Sequence, residues 1–238
     1  MFRKTANRKG WLGCAIILIA ASAHAQTISP VTVDFKEKAR GKVTVTNNAL
    51  FPMDVIFQPV SFDLTEDGHQ IFRPLDSSVH VKLSTSSFRV PPRQSFDLVY
   101  EATSDSLPGW FAIDCQMSHL PRAGDLKVVA HLIHTVYLLQ KKPLQKDDLA
   151  VDKVTYDPSK QELSVLLENK SSDMGRSLGI DVLHSAKNAG ANVHRGGFVV
   201  LPHSKRSVSI AWTSADEPDG VVVQFDRFKL EAKLDSTP

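Results

Sequence analysis

The stretch Leu126–Lys141, LKVVAHLIHTVYLLQK, decides the fold class of this chain. It runs sixteen residues without Gly or Pro, and ten of them are apolar. As a strand it places Val128, Ala130, Leu132, Val136 and Leu138 on one face and Val129, Ile133, Tyr137 and Leu139 on the other. A sandwich strand ordinarily alternates apolar with polar, because one face meets water. Here both faces call for cover. At ~3.3 Å per residue the run reaches roughly 50 Å, against a usual strand of about 5–6 residues. Its own domain takes one face. For the other face two readings stand: burial within the sheet or at a domain junction, or a strand left partly unpaired for another polypeptide.

Outward from this stretch the pattern stays β. Toward the N-terminus, strands are predicted over Ile28–Phe35, Lys42–Thr46, Val55–Phe62, Val79–Leu83, Ser95–Ala102 and Trp110–Met117. Turn signals separate them: Asn47-Asn48, Asp67-Gly68, Pro91-Pro92, Pro108-Gly109 and Gly124-Asp125. Beyond Pro143 the polar segment LQKDD reads as a linker. A second series follows: Leu149–Tyr156, Glu162–Asn169, Leu178–His184, Gly197–Leu201, Ser207–Trp212, Val221–Phe225 and Phe228–Leu234. Short strands with regular turns and no capped helical periodicity predict an all-β chain of two immunoglobulin-like sandwiches in tandem. The expected division is 1–25 as a signal peptide, 26–143 as the first sandwich and 144–238 as the second.

The two halves echo each other. FRVPPRQSF at Phe88–Phe96 resembles FVVLPHSKRSV at Phe198–Val208. Each is an apolar run, a Pro-containing turn with basic residues, then an alternating strand, as expected of two similar sandwiches.

The N-terminus reads as an export signal. Arg3, Lys4, Arg8 and Lys9 precede the apolar Trp11–Ala21, and Ala23-His24-Ala25 supplies a small-x-small cleavage site, which sets the expected mature start at Gln26. That apolar run is shorter than the ~20 residues a membrane helix needs. Removing the four cations of this segment from 28 Lys plus Arg, against 26 Asp plus Glu, leaves 24 against 26, a net −2. No nucleic-acid or anionic-membrane footprint is expected from that balance. Of the two cysteines only Cys115 follows the signal, so no intramolecular disulfide is expected. In WFAIDCQM it alternates in step with Phe111, Ile113 and Met117, which reads as a small buried hydrophobe.

Several segments, in order, resemble the PapD-like periplasmic pilus chaperones. They are Val43–Asn48 (VTVTNN), Phe88–Ser95, Trp110–Ile113 through Leu120-Pro121, the long strand closing on Lys141-Lys142-Pro143, and Gly197–Pro202 (GFVVLP). The resemblance implies a periplasmic chaperone that binds pilus or fimbrial subunits by donating a strand and delivers them to an outer-membrane usher. Aligned on the Lys142-Pro143 junction, the donor residues facing the subunit are expected to be Val128, Ala130, Leu132, His134 and Val136. Val129, Ile133 and Tyr137 are then expected to face the chaperone's own core. The family holds the subunit's terminal carboxylate with an Arg on the first strand and a Lys on the last strand of the first domain. This chain has no Arg or Lys between Thr27 and Phe35, and Tyr137 stands where that Lys is expected. Arg40, Lys141 and Lys142 are the basic residues left as candidate anchors.

No enzyme, cofactor or metal is expected. The chain has no G-x-S-x-G elbow, P-loop, G-x-G-x-x-G or H-E-x-x-H motif. His131 and His134 lie three apart, on opposite faces of a strand. Asp63 and Glu66-Asp67 read as solvated charge in a polar hairpin. The sequon Asn169-Lys170-Ser171 would matter only in a glycosylating host. The alternative reading is an exported two-sandwich structural or adhesion protein of the cell envelope.

Overall fold

The computed structural model describes residues 26–119, 128–184, 194–214 and 216–235. The predicted signal segment lies outside the described residues, as do Leu126 and Lys127 of the long strand. The first sandwich packs two sheets. One runs β1(Thr27–Ser29), β3(Ala39–Thr46), β8(Ser95–Ser104), β6(Val79–Leu83). The other runs β2(Thr32–Lys36), β10(Val129–Leu139), β9(Gly109–Ser118), β4(Met53–Leu64), β5(Gln70–Pro74), with β7(Ser87–Val90) also on β4. Their inner faces bury Val43, Val45, Leu98, Tyr100, Phe111, Ile113, Cys115 and Met117 in one core. Burial pushes the Cys115 thiol up to about 12, so it packs as an inert hydrophobe.

After a single 3-10 turn at Lys146–Asp148 comes the second sandwich. Its sheets are β11(Leu149–Asp157), β12(Glu162–Asn169), β16(Lys205–Ala211) and β14(His194–Gly196), β13(Gly175–Leu183), β17(Gly220–Phe225), β18(Lys229–Lys233), with β15(Val199–Val200) also on β13. Trp212, Leu163, Val165, Leu167, Ile180 and Val223 fill its core. The fold is all-β, two sandwiches in tandem.

Three strand expectations are corrected. Ile28–Phe35 is two strands, not one. They break at Pro30, which lacks an N–H for the ladder, so β1 joins one sheet and β2 the other. Strand β4 is twelve residues long, enough to hold β7 along Met53–Ile56 and β5 along Val60–Leu64. Strand β5 escaped the sequence reading because Arg73 and Pro74 interrupt its apolar pattern. Only Val199–Val200 of the predicted Gly197–Leu201 pairs, with the far end of β13.

The internal echo has a structural basis. Asn47, just after β3, places Nδ2 within 3.1 Å of the carbonyls of Val90 and Pro91 and 2.9 Å from that of Phe51. Asn169, ending β12, does the same with Val200, Leu201 and Asp173. Each backbone N–H then donates across the turn, Asn47 to Gln94 and Asn169 to Ser204. Each turn carries a residue with positive φ, Arg93 at 59° and His203 at 49°. One buried amide thus ties the same loop carbonyls in both sandwiches. Asn169 is 1% exposed, so its sequon is closed to a transferase in the folded chain.

Candidate functional site: an open strand edge and an interdomain cleft

Strand β10 is flanked differently along its two halves. On one side it pairs antiparallel with β9 without interruption from Val129 to Leu138. On the other it pairs in parallel with β2, but only from Thr135 to Leu139. No described strand pairs with Val129–His134 on that side. The Thr135 N–H donates to the Val31 carbonyl at 2.7 Å, which fixes which residues point outward. In an antiparallel ladder alternate residues turn both backbone groups the same way, so Val129, His131 and Ile133 continue that row along a stretch where no described strand pairs with it. Such a row is a ready template for another strand.

The two faces of β10 also differ, and Val129, Ile133 and Tyr137, expected to face the domain's own core, do not. Val136 and Leu138 lie in the first sandwich's core, with Ala130 and Leu132 packed against it. Val129, Ile133 and Tyr137 sit on the opposite face. Tyr137 and Ile133 join a third apolar cluster with Phe62, Met174, Val199 and Leu201, between the sandwiches. Val129 is exposed. Of the five expected donor residues, His134 and Val136 are 0% exposed within their own domain. Val128 is exposed, and Ala130 and Leu132 are half-buried. Both rows are apolar, so the pattern alone sets no register. The apolar second face has its explanation in the domain junction, where Leu139 also lies.

His134 marks the point where pairing stops. Its Nδ1 lies 2.7 Å from the Pro30 carbonyl, which only accepts, so Nδ1 carries the proton. Its Nε2 then accepts from the Tyr100 hydroxyl at 2.8 Å. The ring ties the β1–β2 crossover to β10. Burial holds His134 below its ordinary value of 6.5, against the opposing pull of the Pro30 hydrogen bond. The unfolded chain therefore takes up a proton near pH 6.5 and the folded chain only below that. Its contribution is full above about pH 6.5 and declines as pH falls below it, by at most about 1.4 kcal/mol per pH unit. The melting temperature should drop between pH 7 and 5, and His134→Gln should flatten that slope. Equal slopes in both proteins would remove His134 as the cause.

The outer face beside the open edge is polar. The Asp114 carboxylate, 13% exposed, lies 3.0 Å from His131 Nδ1 and accepts from Gln116 Nε2 at 3.0 Å. The same Gln116 amide reaches Gln58 Oε1 at 3.2 Å. His131 and His134 therefore stand on opposite faces, and no group of three or more potential metal ligands occurs among the described residues.

Toward the second sandwich this face becomes the floor of a cleft. Gln140 exchanges two hydrogen bonds with the Met174 backbone, at 3.1 and 3.2 Å. Arg176 on β13 pairs with Asp34 on β2 at 3.0 Å. The hairpin's charges Asp63, Glu66 and Asp67 are exposed as expected, while its backbone meets the second sandwich. The Glu66 carbonyl accepts from Ser207 N on β16 at 2.6 Å, and Gln70 Nε2 donates to Thr135 Oγ1 at 3.0 Å. Of the candidate anchors, Arg40 stands apart from Lys141 and Lys142. Arg40 is exposed on the other sheet beside Glu101, at 3.5 Å. Lys141 is exposed beside Glu37, at 3.6 Å. Lys141 and Lys142 line a cavity of about 190 Å³ with Lys36, Arg176 and Arg227 around Leu139 and Phe228. Arg176 and Arg206 went unnoticed in the sequence, since each sits in an ordinary alternating strand and only the docking of the domains gives it a neighbour.

No helix among the described residues is long and apolar enough to cross a membrane. No family model and no curated protein sequence matches this chain. Its fold is similar to solved structures. A Salmonella enterica SafA pilin–SafB chaperone complex matches at 13% identity and a TM-score of 0.50, over 90% of this chain and 99% of that one. The E. coli chaperone DraB matches at 15% identity and a TM-score of 0.46, over 89% and 99%. The class 5 fimbriae chaperone CfaA matches at 12% identity and a TM-score of 0.47, over 90% and 100%. This chain thus shares the fold seen in the pilin–chaperone complex, at 13% identity.

Proposed function

We propose that this protein is an exported, non-enzymatic chaperone that holds fimbrial subunits on β10 by donor-strand complementation and passes them to an outer-membrane usher. The observation that carries this reading is the half-paired strand. Its backbone row at Val129, His131 and Ile133 is open, and beside it Val128, Ala130 and Leu132 form an all-apolar row at the rim of the core. A subunit strand added there gains backbone hydrogen bonds along the edge, while the apolar row extends its core. Burial of Val128 and Leu132 contributes roughly 1.5–3 kcal/mol each before ordering costs. The polar outer row of Gln58, Asp114, Gln116 and His131 suits a solvent-facing side of the joint sheet. The amino-terminal segment supplies the export route, and the periplasm is the compartment this function requires.

The test uses two substitutions that spare the ladder to β9. His131→Pro removes an edge N–H that points away from β9, a position where an edge strand tolerates proline. Leu132→Glu places a charge in the apolar row. Both variants should fold, and both should lose at least tenfold in co-purification of fimbrial subunits from the periplasm. Undiminished capture by the two folded variants would sink donation from this edge. A wild-type protein that captures no subunit would favour the structural or adhesive reading.

A further inference from the structure

The open half of β10 has a neighbour of its own length in the same chain. The ladder that sets Thr32 beside Thr135, carried straight on, would bring Gln26–Val31 alongside Val129–His134, six residues against six. The arm does not take that course. At Pro30 it crosses over, and Thr27–Ser29 pair with Thr44–Thr46 of β3 in the other sheet. Proline marks the crossover, but the groups that would meet the open row belong to Thr27, Ser29 and Val31, each with its N–H. The arm is therefore able to close the very edge that a partner strand needs.

A buried polar tie holds it aside. His134 Nδ1 donates to the Pro30 carbonyl at 2.7 Å, and Nε2 accepts from the Tyr100 hydroxyl at 2.8 Å. Both side chains are buried. Burial raises the Tyr100 hydroxyl, so it keeps the proton it donates and fixes that of His134 on Nδ1. Tyr100 stands on β8 of the opposite sheet. It passes Gly41 of β3, where an added Cβ would lie 2.5 Å from the hydroxyl oxygen. The bond to Pro30 belongs to the crossover alone. Successive carbonyls of an extended strand point to opposite sides, and that of Val31 already meets Thr135 on β10. A straight arm would turn the Pro30 carbonyl away from β10 and leave His134 Nδ1 a buried donor without a partner, which is costly.

We propose that His134 and Tyr100 are positioning residues for strand capture, holding the arm Gln26–Val31 off β10 so that Val129–Ile133 stays free for a partner. The inference rests on the chaperone reading for what the partner is, but not for where the arm lies. The tie also gives the edge a fixed end. Val31 occupies the Thr135 N–H, so an added strand pairs no further along β10.

The test follows single amides by NMR hydrogen exchange in the free, full exported chain at pH 7. In wild type the His131 and Ile133 amides, which face the open edge, should exchange freely. His134→Leu keeps the site apolar and removes the tie, and those two amides should then slow at least tenfold as the arm runs on. A mere loss of stability would speed their exchange, so a gain of protection separates positioning from a structural role. His134→Asn, whose Nδ2 takes the place of Nδ1, should restore free exchange. Tyr100→Phe, which releases the tautomer, should slow the same amides and serves if His134→Leu does not fold. Protected amides in wild type, or unchanged or faster exchange in the folded variants, would overturn the proposal. So would protection that grows with protein concentration, which would come from a second copy. Capture of a co-expressed fimbrial subunit is the second readout, expected at least fivefold lower in His134→Leu and normal in His134→Asn. A wild type that captures no subunit would remove the chaperone reading, while the amides still decide where the arm lies.

Discussion

Val136→Glu should abolish folding of the first sandwich, whereas Leu132→Glu, four residues earlier on the same face, should leave it folded. Val136 is completely buried opposite Phe111 on β9 and beside Val33 on β2. A carboxylate there has no partner, and burying it or protonating it costs on the order of 4 kcal/mol or more. That rivals the whole stability of a domain this size, about 5–15 kcal/mol. Leu132 lies on the same row but at the rim, where a longer acidic side chain can turn to water. Circular dichroism melts of the two variants decide the matter. A cooperative melt for Val136→Glu near that of wild type would mean that Val136 is not core.

Asn169→Ala should destabilise the second sandwich by about 2–4 kcal/mol, and Asn47→Ala the first by a similar amount. Each amide reaches three loop carbonyls, and each Oδ1 accepts a backbone N–H, from Ala49 or Ser171. Truncation leaves these groups unpaired in a buried turn, and the cost is their desolvation rather than the lost contact. The two sites lie in different sandwiches with no shared partner, so the losses in a double variant should add. Urea unfolding of both singles and the double measures this. A loss under 1 kcal/mol for either single would show that water replaces the amide.

Local chemistry wrote much of this fold into the sequence. Alternation in WFAIDCQM put Phe111, Ile113, Cys115 and Met117 on one buried face, since side chains on a strand repeat every two residues. Turn residues cut the chain into strands, and the repeated apolar-Pro-basic pattern marked two related sandwiches. Two apolar rows on one strand also announced that β10 has more than one neighbour.

Three things only the tertiary structure decided. The facing of β10 was one: a strand apolar on both sides carries no internal mark of its register, and the choice falls to whichever neighbour covers each row. Another was the open edge, because pairing is a property of two strands. Nothing in Val129–His134 says that β2 stops at Thr32; Pro30 ends it from more than a hundred residues away. The last was the interdomain cleft. Arg176, Arg206, Tyr137 and the Gly68 turn come from four distant segments, each locally ordinary. Sequence pattern reads what a residue does within its own strand. What surrounds a side chain, and so its charge and its chemistry, is set by the packing of one sandwich on the other.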